Sequence, residues 1–326
     1  MSNAHDTLAA GGAHKAGDAH DAGSIAQAIV AAHGLRFGAI TSAPISAPRF
    51  SSDDTVYRGA KRACTALGFI EIDAECLALA WRAQTQRLSH FDATLWPDAP
   101  QDFGLRPFPP TAREDAFPPC PERLGLYAVL PDAQWVGRMA RAGVPTVQLR
   151  FKSDDAAAVE REVQAAVDAV QGTGALLFVN DHWRIAIAAG AYGIHLGQED
   201  LDALTPDELA QLRTSGLRLG VSTHGYAEMV RADKVSPSYI AMGAVYPTTL
   251  KRMATAPQGV ARLGAYARLL RGYPQVGIGG IDAVRLPEVL ATGVGSVAVV
   301  RALVAAEDPE ATAAQWMAAM AAAARN

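Results

Sequence analysis

Short apolar runs alternating with helical patterns from Leu124 onward predict an α/β protein built on a TIM (β/α)8 barrel, preceded by a small α/β accessory region and a disordered N-terminal tail. Two further observations support the barrel. The runs are LGLYAVL (from Leu124), PTVQLR (Pro145), ALLFVN (Ala175), YGIHLG (Tyr192), LRLGVS (Leu217), SYIAMG (Ser238), QVGIGG (Gln275) and SVAVV (Ser296), eight in all. Each precedes a plausible helix, as over 132–141, 154–170 and 282–291. The paired glycines follow the seventh run, whereas an open doubly wound sheet carries its glycine-rich phosphate turn after the first strand.

Taken in order, residues 1–24 are rich in Ala, Gly, His and Asp and hold almost no large apolar side chain, so they are expected to be a disordered tail. His5, His14 and His20 there have no fixed ligand geometry and read as adventitious. Residues 25–95 form the accessory region. SIAQAIVAAHGL reads as a helix opened by Ser24 and closed near Gly34, YRGAKRACTAL as a second helix, GFIEID (Gly68 to Asp73) as a strand, and AECLALAWRAQTQRL as a third helix. Asp73 and Glu75 are expected on a solvated strand-to-helix turn. The proline-studded stretch 96–121 reads as a linker and 122–326 as the barrel.

Composition narrows the function classes. The net charge of -4 gives no electrostatic case for nucleic acid or an anionic membrane. Cys64, Cys76 and Cys120 are scattered and odd in number, which suits free thiols in a reducing compartment. No run approaches the ~18 apolar residues of a membrane span, and no basic region with an apolar core opens the chain, so a cytoplasmic protein is expected.

In a TIM barrel the active site lies at the C-terminal ends of the strands. There the second run ends in Gln148, Arg150 and Lys152, the third in Asn180 and Asp181, the fourth in Asp200, the fifth in Ser222 and His224, and the sixth in Thr248 and Lys251. Alternation puts Gln148 and Arg150 on one face. Asp181 and Asp200 on adjacent parallel strands would repel unless a cation lay between them, and Mg2+ carrying substrate phosphates suits oxygen ligands of this kind. The simpler reading of Asn180 and Asp181 is as caps of the next helix. GIGG (277–280) reads as a phosphate-binding turn, or as a turn chosen for backbone geometry alone. Two phosphate sites at one mouth imply two phosphorylated substrates. His195 reads as a packed or hydrogen-bonded strand residue, and His224 lies near the mouth with no assigned role.

VQLRFK, FVNDHWRIAIAAGAYGIHLGQEDL, LGVSTH, MGAVYPTTLK, APQG, VGIGGI and GVGSVAVV, in this order over residues 120–326, resemble thiamine-phosphate synthases. The resemblance implies a transferase that joins hydroxymethylpyrimidine pyrophosphate to hydroxyethylthiazole phosphate and releases pyrophosphate with the help of Mg2+. It places Gln148, Arg150, Lys152, Asn180, Ser222 and Lys251 on the pyrimidine pyrophosphate, with Lys251 and Ser222 nearest the chemistry. Asp181 and Asp200 would ligate the metal, Thr248, Gly280, and Val300 with Arg301 through their backbone, would hold the thiazole phosphate, and Thr249 is a further substrate-binding position. The partners implied are these small molecules, with room for a homo-oligomer. Two positions depart from the family pattern: Leu250 stands where a threonine is expected, and Arg301 where a serine is common. A guanidinium at Arg301 is expected to compensate in part for the missing hydroxyl. Rival readings are a thiazole tautomerase on the same barrel, and a sensor of thiamine phosphate coupled to residues 25–110.

Overall fold

The computed structural model describes residues 21–38, 48–106, 113–248 and 256–325. Its N-terminal unit is helical throughout its regular elements: α1 (Ala22–Phe37), α2 (Thr55–Ala66) and α3 (Glu71–Leu88) pack on one another. The strand expected over 68–73 is therefore corrected to the start of α3. Glu71 and Asp73 sit in the first turn of that helix, where acidic side chains suit the N-terminal partial charge, while Phe69 is buried against Trp96 and Tyr226. The helix opened by Ser24 is instead capped by Asp21, which accepts from the Gly23 and Ser24 amides. It runs through Gly34 to Gly38, whose φ of 76° ends it. The tail expected over 1–24 lies outside the described residues apart from 21–24.

Asp73 is not on a solvated turn but 3% exposed. Burial pushes its carboxyl up to about 6, against hydrogen bonds from the Ala227 and Tyr226 amides that pull it down. Its unfolded value lies near 3.8. A carboxyl with a raised folded pKa favours the fold fully below the unfolded value, and that contribution is lost as pH rises through about 6. At pH 7 the ionised form costs about 3 kcal/mol. Asp73→Asn, which keeps an acceptor oxygen, is expected to raise Tm at pH 7.5 and to leave it unchanged at pH 4; equal shifts at both pH values in thermal melts would count against this account.

Residues 96–121, expected as a linker, are packed where they are described. Pro100–Phe103 form a 3-10 turn, and Trp96, Phe103, Leu105 and Phe117 are buried. Arg113 pairs with Asp233 at 2.8 Å, both almost wholly buried. Large apolar residues among the prolines explain the difference: they bind the segment to the barrel wall.

The eight expected strands are all present and close in chain order: β1 (Leu126–Leu130), β2 (Thr146–Leu149), β3 (Leu176–Asn180), β4 (Gly193–Leu196), β5 (Arg218–Thr223), β6 (Tyr239–Met242), β7 (Gln275–Ile278) and β8 (Ser296–Val299). All pairs are parallel, including β8 with β1. The outer layer comprises α4 (Ala133–Arg141), α5 (Ala156–Val170), α6 (Trp183–Ala189), α7 (Gln198–Ala203), α8 (Pro206–Thr214), α9 (Tyr226–Asp233), α10 (Gly259–Leu269), α11 (Leu286–Leu290), α12 (Arg301–Val304) and α13 (Pro309–Ala323). The helix expected over 282–291 is confined to α11. No described helix is long and apolar enough to cross a membrane.

Alternation sends one set of side chains outward to the helices and a second set inward. The inner set, with Tyr127, Val129, Phe178, Tyr239, Val276 and Ala298, forms its own buried cluster. A side chain at Gly220 would meet the Tyr239 ring, so glycine there makes room for the phenol inside the barrel. The filled interior leaves only the strand ends open for chemistry.

Candidate active site at the barrel mouth

Asp181 follows the last residue of β3, with its amide donating to the His195 carbonyl at 3.1 Å. Its φ of 66° is a left-handed conformation that Asp tolerates better than most residues. The helix that follows, α6, has no side-chain cap and starts from His182. The Asp181 carboxylate is thus not committed to a helix end, and the capping reading fails for it. It meets Asp200 instead. Its carboxyl is pushed up, first by burial, then by the charge of Asp200 and a hydrogen bond between the two carboxyls, while the Lys152 charge opposes the rise. Asp200 lies in the first turn of α7, where its Oδ2 accepts from the Gly197 amide at 3.0 Å.

The facing pair fits a hard divalent cation. Its donors are all oxygen, and two carboxylates are what magnesium commonly takes from a protein. Lys152 is exposed and Arg150 half-buried beside this pair's strand neighbour β2. Asn180 ends β3, half-buried, and pairs in register with His195.

A chain of hydrogen bonds crosses the barrel beneath the mouth. Gln148 Nε2 donates to the Tyr127 hydroxyl at 2.9 Å, and the Tyr127 and Tyr239 hydroxyls are 2.7 Å apart. The Tyr239 hydroxyl is 2.7 Å from His195 Nδ1, and His195 Nε2 is 2.7 Å from Ser222 Oγ. Burial holds both phenols protonated, raising each well above its ordinary range. Gln148 fills one acceptor position on Tyr127, and a phenol hydroxyl can both donate and accept, so each further link of the chain is open to either donor. The Ser222 carbonyl is held by Gln198 Nε2 at 2.8 Å. Tyr239→Phe removes the central link and leaves the buried Tyr127 phenol short of a partner. We expect it to destabilise the fold by about 1–3 kcal/mol, read as a lower urea midpoint at unchanged m-value; an unmoved midpoint would dissolve the network as an energetic unit.

His195 is the hydrogen-bonded strand residue expected, and its link to Ser222 is what the sequence did not show. Tyr127, Tyr239 and Gln198 were also missed; alternation marks the two tyrosines as inward, but not that they touch. His224 is held by Glu228, which accepts from its Nδ1 at 2.7 Å and from its amide at 2.8 Å.

On the other side, Gly279 and Gly280 have φ of 105° and 64°, so the turn demands glycine at both. A Cβ at Gly280 would lie 2.6 Å from the Pro247 carbonyl. Tyr246 N donates to the Gly279 carbonyl at 2.9 Å, which joins this turn to the segment ending at Thr248. Arg285 Nη1 donates to the Gly280 carbonyl at 2.7 Å and adds a cation no motif announced. Val300 occupies the residue before α12 without a side-chain cap, and the Arg301 side chain is exposed. Thr249, Leu250 and Lys251 lie outside the described residues.

A family model for thiamine monophosphate synthase matches residues 126–303. The chain is similar to the thiamine-phosphate synthase of Neisseria meningitidis serogroup B, 54% identical over 195 residues that cover 60% of this chain and 94% of that relative. It is 53% identical to that of Cronobacter sakazakii over 192 residues, 59% of this chain and 90% of the relative. Among solved structures, the thiamine phosphate pyrophosphorylase of Pyrococcus furiosus superposes with a TM-score of 0.54 at 27% identity, covering 61% of this chain and 96% of that one. The barrel, the paired carboxylates at its mouth and these likenesses agree: the chain belongs to the thiamine-phosphate synthase family, transferases of thiamine biosynthesis.

Proposed function

We propose that this chain joins hydroxymethylpyrimidine pyrophosphate to hydroxyethylthiazole phosphate, giving thiamine phosphate and pyrophosphate. The observation that carries the reading is the direct meeting of Asp181 and Asp200 under the charge of Lys152. Gln148, Arg150, Lys152, Asn180, Ser222 and Lys251 would hold the pyrimidine pyrophosphate, and Asp181 and Asp200 a magnesium ion. Thr248, Thr249, Gly280 and the backbone of Val300 and Arg301 would hold the thiazole phosphate, with the exposed Arg301 guanidinium in reach of solvent on that side.

When bound, magnesium would neutralise charge on the leaving pyrophosphate. Arg150, Lys152 and Lys251 would supply positive charge for the same purpose, and the Ser222 hydroxyl, hydrogen-bonded to His195, would serve a polar atom of the substrate. The aminopyrimidine ring stabilises a positive methylene, so the carbon–oxygen bond breaks with its electron pair leaving on pyrophosphate. The thiazole nitrogen then donates its lone pair to that carbon. No protein nucleophile is needed, and the two phosphate sites set the approach. The free thiols Cys64, Cys76 and Cys120 suit a cytoplasmic enzyme.

The test is a coupling assay with the full chain, both substrates and magnesium, following thiamine phosphate. Product that disappears on chelation and returns with added magnesium is expected. Binding of thiazole phosphate without any product would transfer the reading to a tautomerase or a sensor.

A further inference from the structure

The first turn of α9 lacks a cap of its own. Gly225 precedes it in extended backbone, with φ 177°, and has no side chain to offer the exposed amides. The acceptor comes from outside the barrel. Asp73, in the first turn of α3, takes the Ala227 amide on Oδ1 at 2.9 Å and is also hydrogen-bonded by the Tyr226 amide. A Cβ on Gly225 would collide with the Asp73 carboxylate, so the glycine is what lets that group in. The family match begins at residue 126, so Asp73 belongs to none of the shared barrel.

The rest of α9 is gripped from the same side. The Tyr226 ring is wholly buried and stacks on Phe103 at 5.2 Å, and its hydroxyl accepts from Trp96 Nε1 at 3.0 Å. At the far end, Asp233 accepts from the Arg106 amide at 2.8 Å and from Arg113 Nη2 at 2.8 Å, and the Asp233 carbonyl accepts from Arg113 Nη1 at 3.0 Å. Both ends of the helix are therefore tied to residues 73–113. Between Ser222 and this helix lie only Thr223, His224 and Gly225.

We infer that the N-terminal unit is a working part of the active site: Asp73 is a positioning residue that caps α9 across the domain boundary and so fixes the Ser222–Gly225 segment at the barrel mouth. This rests on the reading of Ser222 as a contact of the pyrimidine pyrophosphate. The unit then acts on one substrate only. Ser222 is tied to β4 and its following turn, its hydroxyl to His195 and its carbonyl to Gln198, while the Gly280 turn follows β7 and contacts the segment after β6, whose Gly243 amide also donates to the Thr223 carbonyl.

The experiment uses the full chain as wild type, Asp73→Ala, the double variant Asp73→Ala/Gly225→Ser, and Ser222→Ala. Removing a cap weakens the first turn by about 5-fold in equilibrium terms. Asp73→Ala is expected to raise KM for the pyrimidine pyrophosphate about 5-fold, with KM for the thiazole phosphate and the saturating kcat unchanged. It is also expected to speed amide hydrogen exchange over 222–227. The double variant places a capping hydroxyl on the helix itself, in space vacated by the carboxylate, and is expected to restore both readouts. Lower Tm with unchanged KM values and unchanged exchange at 222–227 would overturn the inference, as would a double variant that recovers Tm and not KM. Should Asp73→Ala not fold, Gly225→Ala takes its place, because its Cβ displaces the carboxylate; the same selective KM rise is expected, and unchanged kinetics refutes the cap's role. The two readings fail separately. Ser222→Ala with wild-type KM overturns the site assignment, whereas the exchange rates judge the cap whether or not the site assignment holds.

Discussion

Asp181→Asn is expected to lower magnesium-dependent product formation by at least about 100-fold while leaving the fold as stable as wild type, or more so. The size follows from the proposed magnesium site, to which Asp181 would give one of two carboxylates; substitutions even of groups that merely support a metal ligand commonly cost 10–100-fold. The unusual sign on stability follows from the present arrangement. Asp181 is held against burial and against the Asp200 charge, both of which raise its pKa, so a neutral amide relieves repulsion. Asparagine also tolerates the φ of 66° at this position, so the backbone has no reason to move. Activity and Tm measured on the same preparation check both halves. Equal loss of activity and Tm would show that Asp181 is structural; retained activity would remove the metal assignment.

The second large effect is on stability. Arg113→Ala is expected to destabilise the protein by about 3–5 kcal/mol, because it leaves Asp233 charged and buried without its cation. Asp233 is 1% exposed and takes hydrogen bonds from Arg113, from the Arg106 amide and, at 2.6 Å, from the Tyr273 hydroxyl. At 2–4 °C per kcal/mol for a chain of this order of size, Tm should fall by about 10 °C or more. The double variant Arg113→Ala/Asp233→Asn removes both charges and is expected to recover part of the loss. A thermal melt in which the single variant stays within about 2 °C of wild type would mean that this pair contributes nothing net, as exposed pairs often do.

Most of the barrel was legible because its signal is local and repeated. Each strand is buried on both faces and reads as a short apolar run, and the C-terminal position of a polar residue on such a run already locates it at the mouth. Asp181 and Asp200 were legible for the same reason, since adjacent parallel strands bring their ends together. The N-terminal unit was misread where alternation competed with helix-start chemistry. FIEID alternates like a strand over too few residues to outweigh the acidic first turn and the burial of Phe69 that begin α3.

By itself, then, the sequence determined the eight strands, their order around the barrel and the polar residues at their ends, because these depend on period, burial and spacing along the chain. Only the tertiary structure decided which polar groups touch. Gln148, Tyr127, Tyr239, His195 and Ser222 come from five different strands, and Asp73 and Ala227 are 154 residues apart in the chain. A hydrogen bond or a buried ion pair depends on ångström-scale approach between elements. That approach is set by how the helices and the barrel pack, which no pattern within one element encodes.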